Sequence, residues 1–170
     1  GAIGQGGTVG PFNTYDFSSA GVLLLDPQST STANGYYQSF VDRHLLDGIL
    51  VNNPGLNSTY EITVVADFVS NVTSNSGGVQ TFSVASGNFS LWLDAPPNHN
   101  FNTDSGFMDG TKIMSGTVLS GVGSNITVGA SQTVGFGSLQ LKVTSYDQTI
   151  YSPSGSGGIG GGESIFTLRL

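Results

Sequence analysis

The two histidines, His44 and His99, are the residues best suited to acid–base or metal chemistry in this cysteine-free chain of 170 residues. They stand far apart, and neither belongs to an H-x-H or H-E-x-x-H spacing that would aim two ligands at one ion. A Ser–His–acid site can assemble from distant residues, but no G-x-S-x-G turn accompanies the many serines. We therefore expect that the protein is not an enzyme. The enzymatic alternative requires His44 or His99 beside an acid in a cleft.

Oxygen-bearing side chains are concentrated in the segment DAPPNHNFNTDSGFMDG, residues 94–110. Asp94, Asn102, Asp104 and Asp109 are its candidate calcium ligands, because Ca²⁺ prefers carboxylate and amide oxygens. The segment lacks the glutamate of an EF-hand, and a turn-rich connection between strands has the same composition. Together with Asp67, its acids could also supply the carboxylate pair of a glycosidase, although acids of a β-sandwich more often lie on solvated loops. We expect no cofactor, with calcium as the alternative.

Charge and composition restrict the partners of the chain. Its formal net charge is -7, its pI is about 4.2 and it has 4 basic residues, which is unsuited to binding a phosphate backbone, so we expect no nucleic acid partner. The longest apolar run, residues 22–25, is far shorter than the ~20 residues of a membrane-spanning helix. A surface rich in serine, threonine and asparagine with few lysines, and a first residue that is not Met, favour a secreted, extracellular protein.

Asparagine sequons provide candidate glycosylation sites in such a setting. Asn57, Asn71 and Asn125 are the candidates, each followed by x-Ser/Thr. A further sequon at Asn88 falls inside a predicted strand, which makes it the least suitable acceptor.

Short β-type runs bounded by glycine, asparagine and serine recur along the chain. They cover residues 21–26, 47–53, 58–73, 79–95, 111–121, 124–129, 134–146 and 163–170. This pattern predicts an all-β fold, an antiparallel β-sandwich or jelly roll with an extended N-terminal arm. The length is that of one domain, so we expect residues 1–20 to form a glycine-rich arm and residues 21–170 a single β-sandwich domain.

Alternation of apolar and polar residues indicates the faces of these strands. In TYEITVVADF, Tyr60, Ile62 and Val64 share one face, and Glu61 lies on the opposite, wetter one. The run NFSLWLD places Trp92 on a wetter face in the same way. Residues 36–49 give mixed signals, because their aromatic and leucine residues also have the spacing of a short helical turn.

The two ends of the chain raise the question of strand exchange. The arm carries Ile3, Val9, Phe12 and Phe17, which could fill pockets of a neighbouring molecule. The C-terminal run ESIFTLRL follows a glycine-rich tether and has one unbroken apolar face, which favours its return to its own domain.

Several runs resemble one protein family. They are YYQSFVDRHLLDGILVNNPGLNSTYEITVVADF, SGNFSLWLD, DGTKIMSGTVLSGVGS and GSLQLKVTSYDQTIYSPS with GGESIFTLRL, in an order that covers about residue 36 to the end. They are similar to the flocculation-associated PEP-CTERM secreted protein family. The resemblance implies an exported bacterial protein of the extracellular or biofilm matrix, without a known active site and involved in cell aggregation.

The expected function is therefore that of an extracellular structural matrix protein that self-associates into fibres or sheets. Exchange of a terminal strand between copies would provide the contact. The alternative is a monomeric carbohydrate-binding or adhesion module that presents aromatic side chains to extracellular polysaccharide. Trp92, Tyr36, Tyr37 and Tyr151 are the aromatic candidates.

Overall fold

The computed structural model describes residues 2–3, 7–128, 132–152 and 165–169, with side chains for 8–124 and 137–152. Within these residues every regular element is a β-strand, which confirms the predicted all-β class. The strands are β1 (Ala2–Ile3), β2 (Gly7–Thr8), β3 (Thr14–Phe17), β4 (Val22–Pro27), β5 (Thr32–Leu46), β6 (Ile49–Leu50), β7 (Glu61–Ser76), β8 (Val79–Asp94), β9 (Thr111–Val128), β10 (Gln132–Tyr146) and β11 (Ile165–Arg169). The described part of the chain contains no helix that is long and apolar enough to cross a bilayer.

Nine of these strands form one antiparallel sheet, and β1 and β2 pair with each other separately. The sheet runs in the order β11-β10-β9-β8-β7-β5. Along one edge of β5, β4 pairs with its first part and β3 with its last part. Along the other edge, β7 pairs with the first part of β5 and β6 with Leu45 and Leu46. The antiparallel pairing agrees with the prediction. Strands β3 and β11, which come from the N-terminal and C-terminal parts of the chain, lie at opposite ends of the strand order.

Strand β7 shows why the alternating sequence gives this sheet. Its even-numbered residues Ile62, Val64, Ala66 and Phe68 are all buried and face the core, as the period-2 pattern predicts. Phe68 pairs with Gly35 of β5 on one side and with a glycine of β8 on the other. A side chain at Gly35 would overlap the Phe68 ring, so the glycine makes room for the aromatic residue.

Strand β5 differs from the sequence interpretation, which left a helical turn open over residues 36–49. Its core-facing positions include Ala33, Gly35 and Ser39, which are small or polar, whereas Tyr36 faces outward and is 46% exposed. The usual contrast between an apolar inner face and a polar outer face is therefore weak in this strand. Pairing with β4 and β7 on its two sides makes it a strand nevertheless.

The residues before β4 pack on the core of their own chain. We call residues 8–18 the N-terminal segment. Val9 in it is buried, Phe12, Tyr15 and Phe17 pack against the core cluster, and β3 pairs with the last part of β5. Ile3 lies in β1, and its side chain is outside the described side chains.

The C-terminal strand β11 pairs antiparallel with β10, with Leu168 opposite Leu139 and Phe166 opposite Leu141. Strand β11 thus lies beside β10 of the same chain, and its return to its own domain rather than to a neighbouring copy stays a prediction. In β10, the core positions Leu139, Leu141 and Val143 are buried.

Candidate functional site

One end of the outer sheet face is covered by the connection between β8 and β9, residues 95–110. Its main anchor is Glu61, the first residue of β7, which is fully buried. The Oε1 atom of Glu61 accepts hydrogen bonds from the backbone N–H groups of Asn98, at 2.8 Å, and His99, at 2.9 Å, and Oε2 bonds to His99 Nδ1. The Thr63 hydroxyl donates to the carbonyl oxygen of Phe107 at 2.7 Å. The sequence pattern assigned Glu61 to the wetter face correctly, but at this end the connection excludes water from that face.

Aromatic packing completes this anchor. The His99 ring stacks on Phe40 with 4.3 Å between centroids, and Phe101 and Phe107 lie at 5.6 Å from it. The described contacts of the His99 ring are therefore with one acid and three phenylalanines. His99 does lie beside an acid, as the enzymatic alternative requires, and the contacts of this pair position the connection against the sheet.

The predicted calcium residues participate in turns of the same connection. Asp94 Oδ1 accepts from the backbone N–H of Ala95 at 2.8 Å, and Asp109 Oδ2 accepts from the Asn98 amide at 3.0 Å. The backbone N–H of Asn102 donates to an asparagine side chain two residues earlier, and Asp104 has a left-handed φ of 50°. Among the described residues, no three His, Cys, Asp or Glu side chains converge as a metal site would require.

Beside this connection, a groove of about 1010 Å³ crosses the outer face of the sheet. The floor is formed by outward-facing residues of β4, β5, β7, β8, β9 and β10, and one wall by the connection. Its lining includes Val22, Leu24, Tyr36, Gln38, Val65, Asp67, Asn88, Ser90, Ser115, Thr117 and Thr144 on the floor, and Phe101, Asp104, Met108 and Lys112 at the wall and rim.

The strand register aligns the floor residues in two rows that run across the strands. In the first row, Leu24 pairs with Tyr36, Tyr36 with Asp67, Asp67 with Asn88, and Asn88 with Thr117. In the second row, Val22, Gln38, Val65, Ser90 and Ser115 follow in the same order of strands. Each row therefore begins with an aliphatic residue at β4 and continues mostly with hydroxyl, amide or carboxylate side chains.

The aromatic residues considered for sugar contact lie in different environments. Tyr37 and Tyr151 are 5% and 6% exposed and belong to the core. Tyr36 is exposed on the groove floor, and Trp92 is half-buried on the same outer face, paired across the strands with Lys112. The Lys112 ammonium lies 5.1 Å from the centroid of the Trp92 ring, a cation–π arrangement at the rim of the groove.

A second polar cluster lies beneath the N-terminal segment and surrounds His44, which is fully buried. The Asn53 amide donates to His44 Nδ1 at 2.5 Å, and the Tyr60 hydroxyl donates to Asn53 Oδ1. His44 Nε2 is buried without a hydrogen-bond partner among the described residues. Burial lowers the pKa of His44 to about 4, because the charged imidazolium would lose its hydration.

The N-terminal segment covers this cluster with aromatic rings. Phe12 and Tyr15 contact the His44 ring at centroid distances of 4.6 Å and 5.0 Å, and the Tyr15 and Tyr151 hydroxyls are 2.5 Å apart. Burial raises the pKa values of both tyrosines well above their ordinary range. This cluster could not be predicted from the sequence, because its members come from four separate stretches of the chain.

The candidate exchange residues with described side chains lie in the N-terminal segment, and the candidate glycosylation residues lie in a loop and in two strands. Val9, Phe12 and Phe17 contact the core of their own chain. Asn57 is exposed, but its Nδ2 atom, to which a glycan would be attached, donates to the carbonyl oxygen of Val41 at 2.9 Å. Asn71 is exposed on β7, and the Asn125 side chain lies outside the described side chains.

Comparison of the chain with protein-family models, with curated proteins and with solved structures finds no match.

Proposed function

We propose that this chain is an extracellular structural protein that self-associates into fibres or sheets in a biofilm or cell aggregate, by exchange of its N-terminal segment between copies. The observation that carries the proposal is the position of that segment. Its strand β3 is the last strand in the order of the sheet. Its apolar side chains pack against the core cluster, to which β5 and β7 also contribute.

Exchange conserves the contacts that the segment makes within one chain. A segment from another copy can pair with β5 and place Phe12 and Tyr15 over His44 in the same way, as in domain swapping. The free-energy difference between the closed and exchanged forms is then set mainly by the link to β4, residues 19–21, and by protein concentration. Head-to-tail exchange of this kind produces an open chain of subunits when its geometry does not close into a ring.

Composition and resemblance support the same function. Only 9% of the residues are charged, so most side chains at a contact between copies would be neutral. The resemblance to flocculation-associated PEP-CTERM secreted proteins implies a matrix protein of cell aggregates. Secretion, the matrix setting and polymer formation are all parts of this proposal.

Cross-linking of single-cysteine variants tests the exchange directly, because the natural chain has no cysteine. Asp16 of β3 pairs with Arg43 of β5, and their side chains form an exposed ion pair at 2.5 Å. Paired residues of antiparallel strands have Cα atoms about 4.5–5.5 Å apart, within the range of a disulfide. Loss of the exposed ion pair itself should cost no more than about 1 kcal/mol.

In the experiment, Asp16→Cys protein and Arg43→Cys protein are mixed, incubated under assembly conditions and oxidised. Exchange predicts a disulfide-linked heterodimer on non-reducing gels, because each cysteine then meets its partner from another copy. An Asp26→Cys protein mixed with the Arg43→Cys protein is the matched control, since these positions are not paired. A heterodimer yield no greater than that of the control would contradict exchange of the segment.

A further inference from the structure

The groove on the outer sheet face is not used by exchange of the N-terminal segment. We propose that this groove binds an extended, uncharged polysaccharide chain that lies across the strands. The site goes beyond self-association and gives the protein a second partner, the polymer of the surrounding matrix.

The side chains on the groove floor recur from strand to strand, which fits a polymer better than a compact ligand. The groove crosses six strands, from Val22 and Leu24 of β4 to Thr144 of β10. Five steps between strands of about 4.8 Å give a floor about 24 Å long. Side chains of the same row recur at this step, which is comparable to the length of one pyranose unit in an extended chain.

The floor offers side-chain rather than main-chain recognition. Its backbone N–H and C=O groups are already paired in the ladders between β5, β7, β8 and β9, so a peptide could not add a strand here. Gln38, Asp67 and Asn88 make no side-chain hydrogen bond within the described residues and are available to a ligand. Amides, which both donate and accept, and carboxylates, which accept, are suited to the hydroxyl groups of a sugar chain.

Apolar surface in the groove fits the carbon-bound hydrogens of sugar rings. Tyr36 is 46% exposed on the floor, and Leu24 and Met108 are each 59% exposed at its borders. An aromatic ring flanked by hydrogen-bonding side chains provides both an apolar platform and directional contacts. Phe101 adds an aromatic side chain to the wall, and it belongs to the connection that Glu61 holds by hydrogen bonds.

Charge decides which class of polysaccharide fits. The groove lining includes Asp67 and Asp104 and, among the described lining residues, one cation, Lys112, and the whole chain has a net charge of -7. Acidic polymers would be repelled, whereas an uncharged polymer binds without this cost.

Affinity electrophoresis of the full chain tests the site. Native gels contain hydroxyethyl cellulose, dextran or galactomannan as uncharged polymers, or alginate as an acidic polymer. We expect retardation by at least one uncharged polymer and none by alginate. The double variant Asp67→Ala/Asn88→Ala and the single variant Tyr36→Ala should each weaken retardation about tenfold, the first through loss of polar contacts and the second through loss of the apolar platform. Asn71→Ala, an exposed asparagine of β7 outside the groove, is the matched control and should bind like the natural chain.

The fluorescence of Trp92, the single tryptophan, gives an independent readout at the rim of the groove. It should change with the retarding polymer and not with alginate. Absence of retardation by every uncharged polymer, retardation only by alginate, or retardation unaffected by the floor variants would each overturn the proposal. If Tyr36→Ala instead lowers self-association and leaves polymer binding intact, the groove is a contact between copies and the proposal is wrong. Failure of segment exchange in the cross-linking experiment does not contradict polysaccharide binding by the groove.

Discussion

Acid should destabilise the folded chain through one buried residue, His44. Its pKa in the folded protein is about 4, against an ordinary value of 6.5. The unfolded chain therefore takes up this proton at a higher pH than the folded chain does. The stabilising contribution is fully present above about pH 6.5 and is lost as the pH falls from there towards 4.

The size of the loss follows from the difference between the two pKa values. A difference of about 2.5 units at 1.36 kcal/mol per unit gives a full loss of about 3.4 kcal/mol, of which about 2 kcal/mol is reached at pH 5. The titratable groups that surround the cluster are Tyr15, Tyr60 and Tyr151. Their raised pKa values keep them neutral in this range, so no nearby anion offsets the imidazolium charge.

The assay is urea unfolding, followed by the fluorescence of Trp92, at pH 7, 6, 5 and 4.5. Carboxylates also titrate here, so the quantity to compare is the change in unfolding free energy between pH 7 and 5 in the natural chain and in His44→Phe. The natural chain should lose about 2 kcal/mol more than the variant. His44→Gln serves in the same comparison if the phenylalanine variant does not fold. Equal pH dependence of the natural chain and the variant would refute the reasoning.

Three further experiments test the role of Glu61, the close packing of β9 on β10, and the pairing of Tyr15 with Tyr151. Glu61→Gln should lower the free energy of unfolding by about 3 kcal/mol and speed amide hydrogen exchange in residues 97–108, because the buried carboxylate loses its charge-assisted bond to His99. Gly116→Ala should cost about 2 kcal/mol, measured by urea unfolding, because the added methyl group overlaps a carbonyl oxygen of β10. In a double-mutant cycle of Tyr15→Phe and Tyr151→Phe, the two losses should be sub-additive by about 1 kcal/mol, because either change alone leaves the other hydroxyl unpaired.

Each of these substitutions has a result that would contradict it. Asp42→Asn is the matched control for Glu61→Gln, since Asp42 is exposed, and equal effects of the two would show that the buried carboxylate is not an anchor. Unchanged stability of Gly116→Ala would mean that β9 and β10 can separate at this point without cost. Strict additivity in the tyrosine cycle would show that the two hydroxyls do not interact.

The strands with strong alternation could be predicted from the sequence. Ile62 and Val64 of β7, and Leu139 and Leu141 of β10, are buried where the period-2 pattern places them. Strand β5 could not be assigned in the same way, because Gly35 faces its core side. That glycine is explained only by Phe68, 33 positions later, whose ring occupies the space of a side chain.

The candidate sites were harder to predict, because they depend on contacts between distant residues. The sequence identified 94–110 as a polar connection, but not that Glu61 would be buried by it, since His99 lies 38 positions after Glu61. The rows of the groove depend on the register between strands, which alternation alone does not determine. The exposed fraction of Tyr36 and the burial of Tyr37 show the same limit, because neighbouring aromatic residues become distinguishable only once the faces of the strand are known.

The most direct test of self-association by exchange is negative-stain electron microscopy of the Asp16→Cys/Arg43→Cys double variant. Oxidation of dilute, monomeric protein ties β3 to β5 of the same chain and should leave the fold intact, since these residues are paired. The account predicts dispersed particles when the concentrated variant is oxidised beforehand, and fibres or sheets when it is reduced. Assemblies that form equally well when the disulfide is oxidised, or dispersed particles in both the oxidised and the reduced protein, would contradict exchange of the N-terminal segment.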